Sequence, residues 1–171
     1  MTAYRIRPEQ ARDADAITAV IETAFRTAPH SDGTEQHIVI ALRRAGALSV
    51  SLVAEVDGDV VGHVAFSPVT VSDGSARWYG LGPVSVLPAH RNAGIGAALV
   101  EAGLAALRDH GAAGCVVLGE PGYYGRFGFE CRPDCVLEGV PPEYFQCLAL
   151  EGRHAAGTVT YHAAFSVGGP G

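Results

Sequence analysis

Residues 84–96 constrain the fold of this chain more than any other segment. Their sequence, Val-Ser-Val-Leu-Pro-Ala-His-Arg-Asn-Ala-Gly-Ile-Gly, predicts a strand, a turn that contains proline and the beginning of a helix. At such a junction several backbone N–H groups have no acceptor, and the positive end of the helix dipole lies beside them. Gly94 and Gly96 have no Cβ atom, so a bulky anion can approach the main chain. Arg91 can add a charged, forked donor, and the segment is therefore predicted to bind phosphate oxygens.

The glycines of this segment differ from those of two other phosphate-binding motifs. No Gly-Lys-Ser/Thr follows them, which argues against the P-loop of nucleoside triphosphatases. Leu99 stands where the third glycine of a Rossmann Gly-x-Gly-x-x-Gly motif would be. The glycines alone also allow a tight strand-to-helix turn that binds no ligand.

Length and composition predict one domain over residues 1–165, followed by a flexible tail over residues 166–171. Hydrophobic residues make up 48% of the chain, but no apolar run approaches the roughly 20 residues of a membrane helix. The N-terminal residues lack the apolar core of a signal peptide, so we expect a cytoplasmic protein that binds no membrane. The net charge of −6 argues against a nucleic-acid partner and favours a cationic acceptor such as an amine.

The four cysteines predict neither a metal site nor a disulfide framework. Cys115, Cys131, Cys135 and Cys147 form no Cys-x-x-Cys pair, and no histidine pair accompanies them at a metal-ligand spacing. We therefore expect free thiols in a reducing compartment and no bound metal.

Hydrophobic periodicity predicts a mixed α/β fold. Strands are predicted at residues 4–7, 49–56, 60–71, 78–86, 115–118 and 158–162, and helices begin near residues 13, 35 and 94. The wholly apolar strand 115–118 follows the third helix, and this order predicts a parallel pair with a right-handed crossover. Gly80, Gly82 and Pro83 predict a bulge or a splayed edge in strand 78–86.

A second motif, Tyr124-Gly125-Arg126-Phe127-Gly128-Phe129, follows the apolar strand. The two motifs together resemble the GNAT superfamily of N-acetyltransferases. Residues 91–96 match its Arg/Gln-x-x-Gly-x-Gly/Ala core, and residues 124–129 match its Tyr-x-x-x-Gly-Phe pattern. Residues 62–67, Gly-His-Val-Ala-Phe-Ser, are similar to a segment of a bacterial subgroup that also carries Tyr-Tyr-x-Arg-Phe-Gly-Phe.

The resemblance implies a three-layer fold and a cofactor. The fold is a central, mostly antiparallel sheet, opened into a V between two parallel strands and flanked by helices. The co-substrate is acetyl-CoA, whose pyrophosphate the glycine loop holds. The residues implied to bind it are Val84, Ser85, Val86, Arg91, Asn92, Ala93, Gly94, Ile95, Gly96 and Ala97.

The resemblance also implies that Tyr124 is the general acid of the reaction. A phenol, with a pKa of about 10, can donate a proton to the departing thiolate. An aromatic core cluster of Tyr123, Tyr124, Phe127 and Phe129 is the structural alternative. The resemblance implies that the acceptor is a primary amine of a small molecule or peptide. Since neither motif contains a cysteine, we expect direct transfer in a ternary complex rather than through an acyl-enzyme.

The general base is not singled out by either motif. Glu120, at the end of the apolar strand, is the candidate, although it could simply cap the helix that begins at Pro121. His63, Glu35 and His37 are further possibilities. A non-catalytic acetyl-CoA-binding or sensing module, an acyltransferase for longer acyl-CoA and a homodimer are compatible with the same motifs.

Overall fold

The computed structural model describes residues 3–26, 31 and 33–166. Four α-helices are present in these residues: α1 (Ala14–Phe25), α2 (Glu35–Arg44), α3 (Ile95–Asp109) and α4 (Pro121–Tyr124). The strands are β1 (Arg5–Pro8), β2 (Val50–Val56), β3 (Asp59–Val71), β4 (Trp78–Val86), β5 (Gly114–Leu118), β6 (Cys135–Val136), β7 (Phe145–Ala149) and β8 (Gly157–Tyr161). None of the helices among these residues is long and apolar enough to cross a membrane.

The eight strands form an open mixed sheet, which confirms the predicted fold class. Strand order is β1-β2-β3-β4-β5-β7, and β8 pairs with both β3 and β6. The β4–β5 pair is parallel, as the strand–helix–strand order predicts, whereas β1–β2, β2–β3 and β5–β7 are antiparallel. The β4–β5 register runs from Trp78↔Gly114 to Leu81↔Val117. It stops just before Gly82, whose φ of 141° lies in the region that favours glycine.

The chain divides into two compact units. The first comprises the described parts of residues 1–66, 83–105 and 163–171. Here β3 is covered on both faces: Gly62 and Phe66 face α3, and Ala65 packs with buried residues of α1 and α2. Gly103 of α3 leaves the space that the Phe66 ring fills, so a Cβ atom at residue 103 would collide with that ring.

The second unit comprises residues 67–82 and 106–162. Its core is built from buried apolar side chains of six strands and one loop: Val69, Val71, Trp78, Val116, Cys135, Phe145, Cys147, Ala155 and Val159. Two glycines make room for large rings in this unit. The Trp78 ring lies over Gly114, and the Tyr161 ring lies over Gly80.

The remaining predictions about organisation have mixed outcomes. Residues 167–171 of the predicted tail lie outside the described residues, and Ser166 ends a short 3-10 helix, Ala163–Ser166. Cys115, Cys135 and Cys147 are buried free thiols, and Cys131 is exposed. That residues 1–165 act as one domain stays a prediction.

Candidate functional site

The glycine loop lies between β4 and α3, as the order of its residues predicts. A single 3-10 turn, Pro88–His90, follows β4, and the Leu87 amide donates to the Val61 carbonyl of β3 at 2.8 Å. Asn92 (φ 66°) and Gly94 (φ 81°) then adopt left-handed conformations that redirect the chain into the helix. Apart from Gly94 and its two chain neighbours, no atom of the described residues lies within 4 Å of the position that a Cβ atom of Gly94 would take. The glycine is therefore needed for its conformation, and the space beside it is open to a ligand.

The loop presents backbone donors that have no acceptor in the described part of the chain. The first amide of α3 with an acceptor is that of Ala98, which donates to the Gly94 carbonyl at 3.0 Å. Among the described ranges, no acceptor pairs with the amides of residues 92–97. Residues 91–94 are exposed, and α3 continues for 15 residues behind them. Free amides at the positive end of a long helix dipole are suited to hold an anion.

Arg91 has a structural contact that the sequence did not predict. One of its terminal nitrogens, Nη2, donates to the Ala24 carbonyl in the last turn of α1 at 2.8 Å. This bond attaches the loop to α1 and fixes the side chain. The Nε and Nη1 donors have no acceptor among the residues that the structure describes, so they are available to a phosphate.

The three predicted cofactor residues of β4 differ in exposure. Val84 and Val86 are half-buried, whereas Ser85 is only 2% exposed. The Ser85 hydroxyl is buried, and no described residue hydrogen-bonds to it. A contact to a cofactor at Ser85 would therefore have to come from its main chain.

Tyr124 lies in an aromatic cluster of the second unit. Its ring centroid is 5.0 Å from that of Tyr123 and 6.0 Å from that of Phe129, and both pairs meet edge to face. Its ring also covers Gly119, where a Cβ atom would collide with it. The predicted aromatic cluster is thus present, and it fixes the orientation of the phenol.

The Tyr124 hydroxyl has no hydrogen-bond partner among the described residues. Burial raises the pKa of this phenol to about 12, and the neighbouring Tyr123 and Cys115 add to the rise. The phenol is therefore protonated throughout the neutral range and can donate a hydrogen bond to a ligand.

Glu120 is the N-cap residue of α4, but its side chain makes no capping hydrogen bond. Its main-chain carbonyl accepts from the amides of Tyr123 and Tyr124, both at 3.1 Å. The carboxylate is exposed, and no described residue engages it. The alternative in which Glu120 only caps the helix therefore has no side-chain bond to support it.

The other three candidate bases have different environments. His63 is 0% exposed on β3, and its Nε2 lies 2.8 Å from Ser51 Oγ, so it belongs to the core of the first unit. Burial lowers its pKa to about 4. Glu35 accepts a hydrogen bond from the Ser31 hydroxyl at 2.7 Å, and His37 is exposed on α2.

Sequence reasoning missed two arrangements. The first is a polar network in which Arg43 and Ser51 donate to the Glu9 carboxylate beside His63. Its members are far apart in sequence, so no local pattern could have revealed it. The second is Arg126, which stacks on the Tyr123 ring. Among the residues described, no group of three His, Cys, Asp or Glu side chains could hold a metal ion.

Comparison with known proteins gives consistent similarities over nearly the whole chain. The model of the acetyltransferase (GNAT) family matches residues 15–129. The protein named uncharacterized N-acetyltransferase YhbS of Escherichia coli K12 is 40% identical over 170 residues, which cover 94% of this chain and 98% of that protein.

Two solved structures are similar in both fold and sequence. The crystal structure of a GNAT family acetyltransferase from Brucella melitensis in complex with acetyl-CoA has a TM-score of 0.86 and 51% identity, covering 96% of this chain and 99% of that chain. The structure of YhbS from Escherichia coli in complex with CoA has a TM-score of 0.86 and 35% identity, covering 99% of this chain and 95% of that chain.

Proposed function

This chain belongs to the GNAT family of acetyltransferases, and from that premise we propose that it moves an acetyl group from acetyl-CoA to a primary amine. The observation that carries the proposal is the row of free amides at residues 92–97 before α3. The Brucella melitensis structure contains acetyl-CoA and the YhbS structure contains CoA, which supports the same cofactor here.

In this proposal the loop binds the pyrophosphate of acetyl-CoA. The amides of residues 92–97 donate to its oxygens, the open space at Gly94 admits it, and Arg91 adds charge through Nε and Nη1. The main chain of Val84, Ser85 and Val86 binds the pantetheine arm. Binding through backbone donors explains how a chain with a net charge of −6 can hold a polyanionic cofactor.

Tyr124 acts as the general acid when the thioester is cleaved. The amine nitrogen attacks the carbonyl carbon, a C–N bond forms, and the C–S bond breaks to give a thiolate. A thiol ionises at about 8.5, well below the pKa of about 12 of Tyr124, so complete proton transfer from the phenol is unfavourable in isolation. The hydroxyl therefore acts first by donating a hydrogen bond to the sulfur as negative charge develops there.

Glu120 is the proposed base. Its exposed carboxylate can take the proton that the nitrogen loses, directly or through one water molecule. Tyr124 passes its proton to the sulfur as the C–S bond breaks, and the proton held by Glu120 returns through solvent to the phenolate. The products are therefore the N-acetylated amine and CoA with a neutral thiol. Direct transfer is favoured because Cys115, Cys135 and Cys147 are buried, and the Cys131 thiol donates to the Pro142 carbonyl.

Calorimetric titration tests the cofactor site. We expect acetyl-CoA to bind the wild type, and Gly94→Trp to weaken binding at least tenfold because the indole would occupy the phosphate position. Gly152→Trp is the matched control, since Gly152 has the same φ of 81° and equally open surroundings. Both variants therefore carry the same backbone strain. Equal affinity of the Gly94→Trp protein and the wild type would refute the loop assignment.

The main rival is a protein that binds acetyl-CoA without turnover. Thiol release with a panel of primary amines separates the two functions, because a sensing module binds the cofactor but frees no CoA. The chain contains twelve arginines and no lysine, so its own side-chain ammonium groups cannot act as acceptors in this assay. A panel of longer acyl-CoA donors tests the second rival, an acyltransferase for longer chains. We also propose that residues 1–165 form one domain and that the protein works in the cytoplasm.

A further inference from the structure

Arg126 is held in place by two contacts to the same residue. Its guanidinium carbon lies 4.4 Å from the centroid of the Tyr123 ring. Its Nε donates to the Tyr123 carbonyl at 3.1 Å. The stacking and the hydrogen bond together restrict a side chain that would otherwise move freely on an exposed surface.

The charge of Arg126 is not compensated by a carboxylate of the residues that the structure describes. In contrast, Arg7, Arg43, Arg77 and Arg132 each lie within 4.0 Å of a carboxylate oxygen. No carboxylate of the described ranges lies within this distance of Arg126, and no residue of these ranges accepts a hydrogen bond from its Nη1 or Nη2. A fixed guanidinium with two adjacent unused donors matches the two oxygens of a phosphate or a carboxylate.

Arg126 also lies close in the chain to the proposed general acid. Tyr123, on which it stacks, meets Tyr124 edge to face with ring centroids 5.0 Å apart. The same short segment thus carries a phenol with an unused hydroxyl and a cation with unused donors. A ligand that reaches Tyr124 would find this cation one short turn further along the chain.

We propose that Nη1 and Nη2 of Arg126 bind an oxyanion carried by a ligand of the acetyl-transfer reaction. This inference rests on the proposed function. Two sources of the oxyanion have the same chemistry: the 3′-phosphate of CoA and a carboxylate on the acceptor. Tyr123 positions the guanidinium, and the fork of Arg126 gives a specificity that a single ammonium group would not provide.

The first experiment compares CoA with 3′-dephospho-CoA by calorimetry. If Arg126 binds the 3′-phosphate, Arg126→Gln lowers the affinity for CoA about tenfold and leaves the affinity for 3′-dephospho-CoA unchanged. Arg126→Lys keeps the positive charge but loses the two-pronged donor, so its affinity for CoA should lie between those of the wild type and Arg126→Gln. Arg153→Gln is the control, because Arg153 is exposed in the same unit and no described residue pairs with it. Thermal melting checks that each variant is folded.

The second experiment uses the protein saturated with CoA and compares N-acetylglycine with N-acetylglycinamide by NMR titration. If Arg126 binds a carboxylate of the acceptor, only N-acetylglycine shifts the Arg126 and Tyr123 signals, and Arg126→Gln abolishes its binding. The inference is overturned if Arg126→Gln changes neither the ratio of the affinities for CoA and 3′-dephospho-CoA nor the binding of N-acetylglycine. Failure of the wild type to bind CoA at all would instead refute the proposed function.

Discussion

His63 should make the stability of this protein fall as the solution becomes mildly acidic. The imidazole is fully buried, its Nδ1 has no partner among the described residues, and burial lowers its pKa from 6.5 to about 4. In the unfolded chain it ionises near its ordinary value. Between pH 6.5 and about 4 the unfolded state therefore takes up a proton that the folded state does not, and folding is weakened.

The size of this loss in stability follows from the pKa values of His63 in the unfolded and folded states. Each pKa unit corresponds to about 1.4 kcal/mol. Lowering the pKa from 6.5 to about 4 thus gives a total loss of about 3 kcal/mol in the free energy of unfolding. Glu9 and Asp13 also titrate in acid, but the pKa of each is lowered from its ordinary value of 4.5 or 3.8. Their contributions are lost only at lower pH, so the range above about pH 5 reports mainly on His63.

The assay is urea unfolding at several pH values between about 7 and 4.5, with the wild type and His63→Gln. A glutamine keeps an N–H donor for Ser51 but does not titrate. We expect the wild type to lose about 2 kcal/mol more than the variant over this range. Should the variant not fold, NMR titration of the wild-type imidazole provides the same information. The reasoning would be refuted if the wild type and His63→Gln lost the same free energy of unfolding over this pH range. A pKa of about 6.5 for the His63 imidazole in the folded protein would refute it as well.

Two further outcomes are expected from substitutions. Tyr124→Phe removes only the hydroxyl, so kcat should fall about 10²-fold with little change in the affinity for acetyl-CoA. Tyr123→Phe should lower kcat less. Unchanged turnover in Tyr124→Phe would show that Tyr124 has a purely structural role. Gly103→Ala should lower the free energy of unfolding by about 1–3 kcal/mol, despite the better helix propensity of alanine, because its Cβ would displace the Phe66 ring. A raised Tm in this variant would contradict the packing argument, and Phe66→Leu should relieve the collision.

The glycine loop could be predicted because its determinants are local. Pro88 ends the strand, and Gly94 supplies a left-handed conformation within a few residues of it, so the strand–turn–helix order is encoded in one short segment. The prediction that this segment binds phosphate oxygens was made from the same order. In contrast, the attachment of Arg91 to the Ala24 carbonyl joins residues that are 67 positions apart, and no local rule predicts it.

Two other features were hidden for physical reasons. His63 could not be assigned to a face because β3 is buried on both sides, so its side chains show no alternation of polar and apolar residues. The strands β6 and β7 were missed because β6 has only two residues and β7 is a short run directly after the turn that contains Pro141 and Pro142. β7 is defined by its long-range pairing with β5, in which Cys147 lies opposite Val116.

The borders between the two compact units have a consequence for how this protein can be divided. Three of them fall inside regular elements: within β3 after Phe66, within β4 before Pro83 and within α3 after Ala105. Separable modules are normally joined by exposed linkers rather than by shared strands and helices. Cutting the chain at these borders would divide β3, β4 and α3, so each fragment would hold only part of these elements and of their hydrogen bonds. We therefore expect that a fragment of the chain cut at these borders would not fold alone.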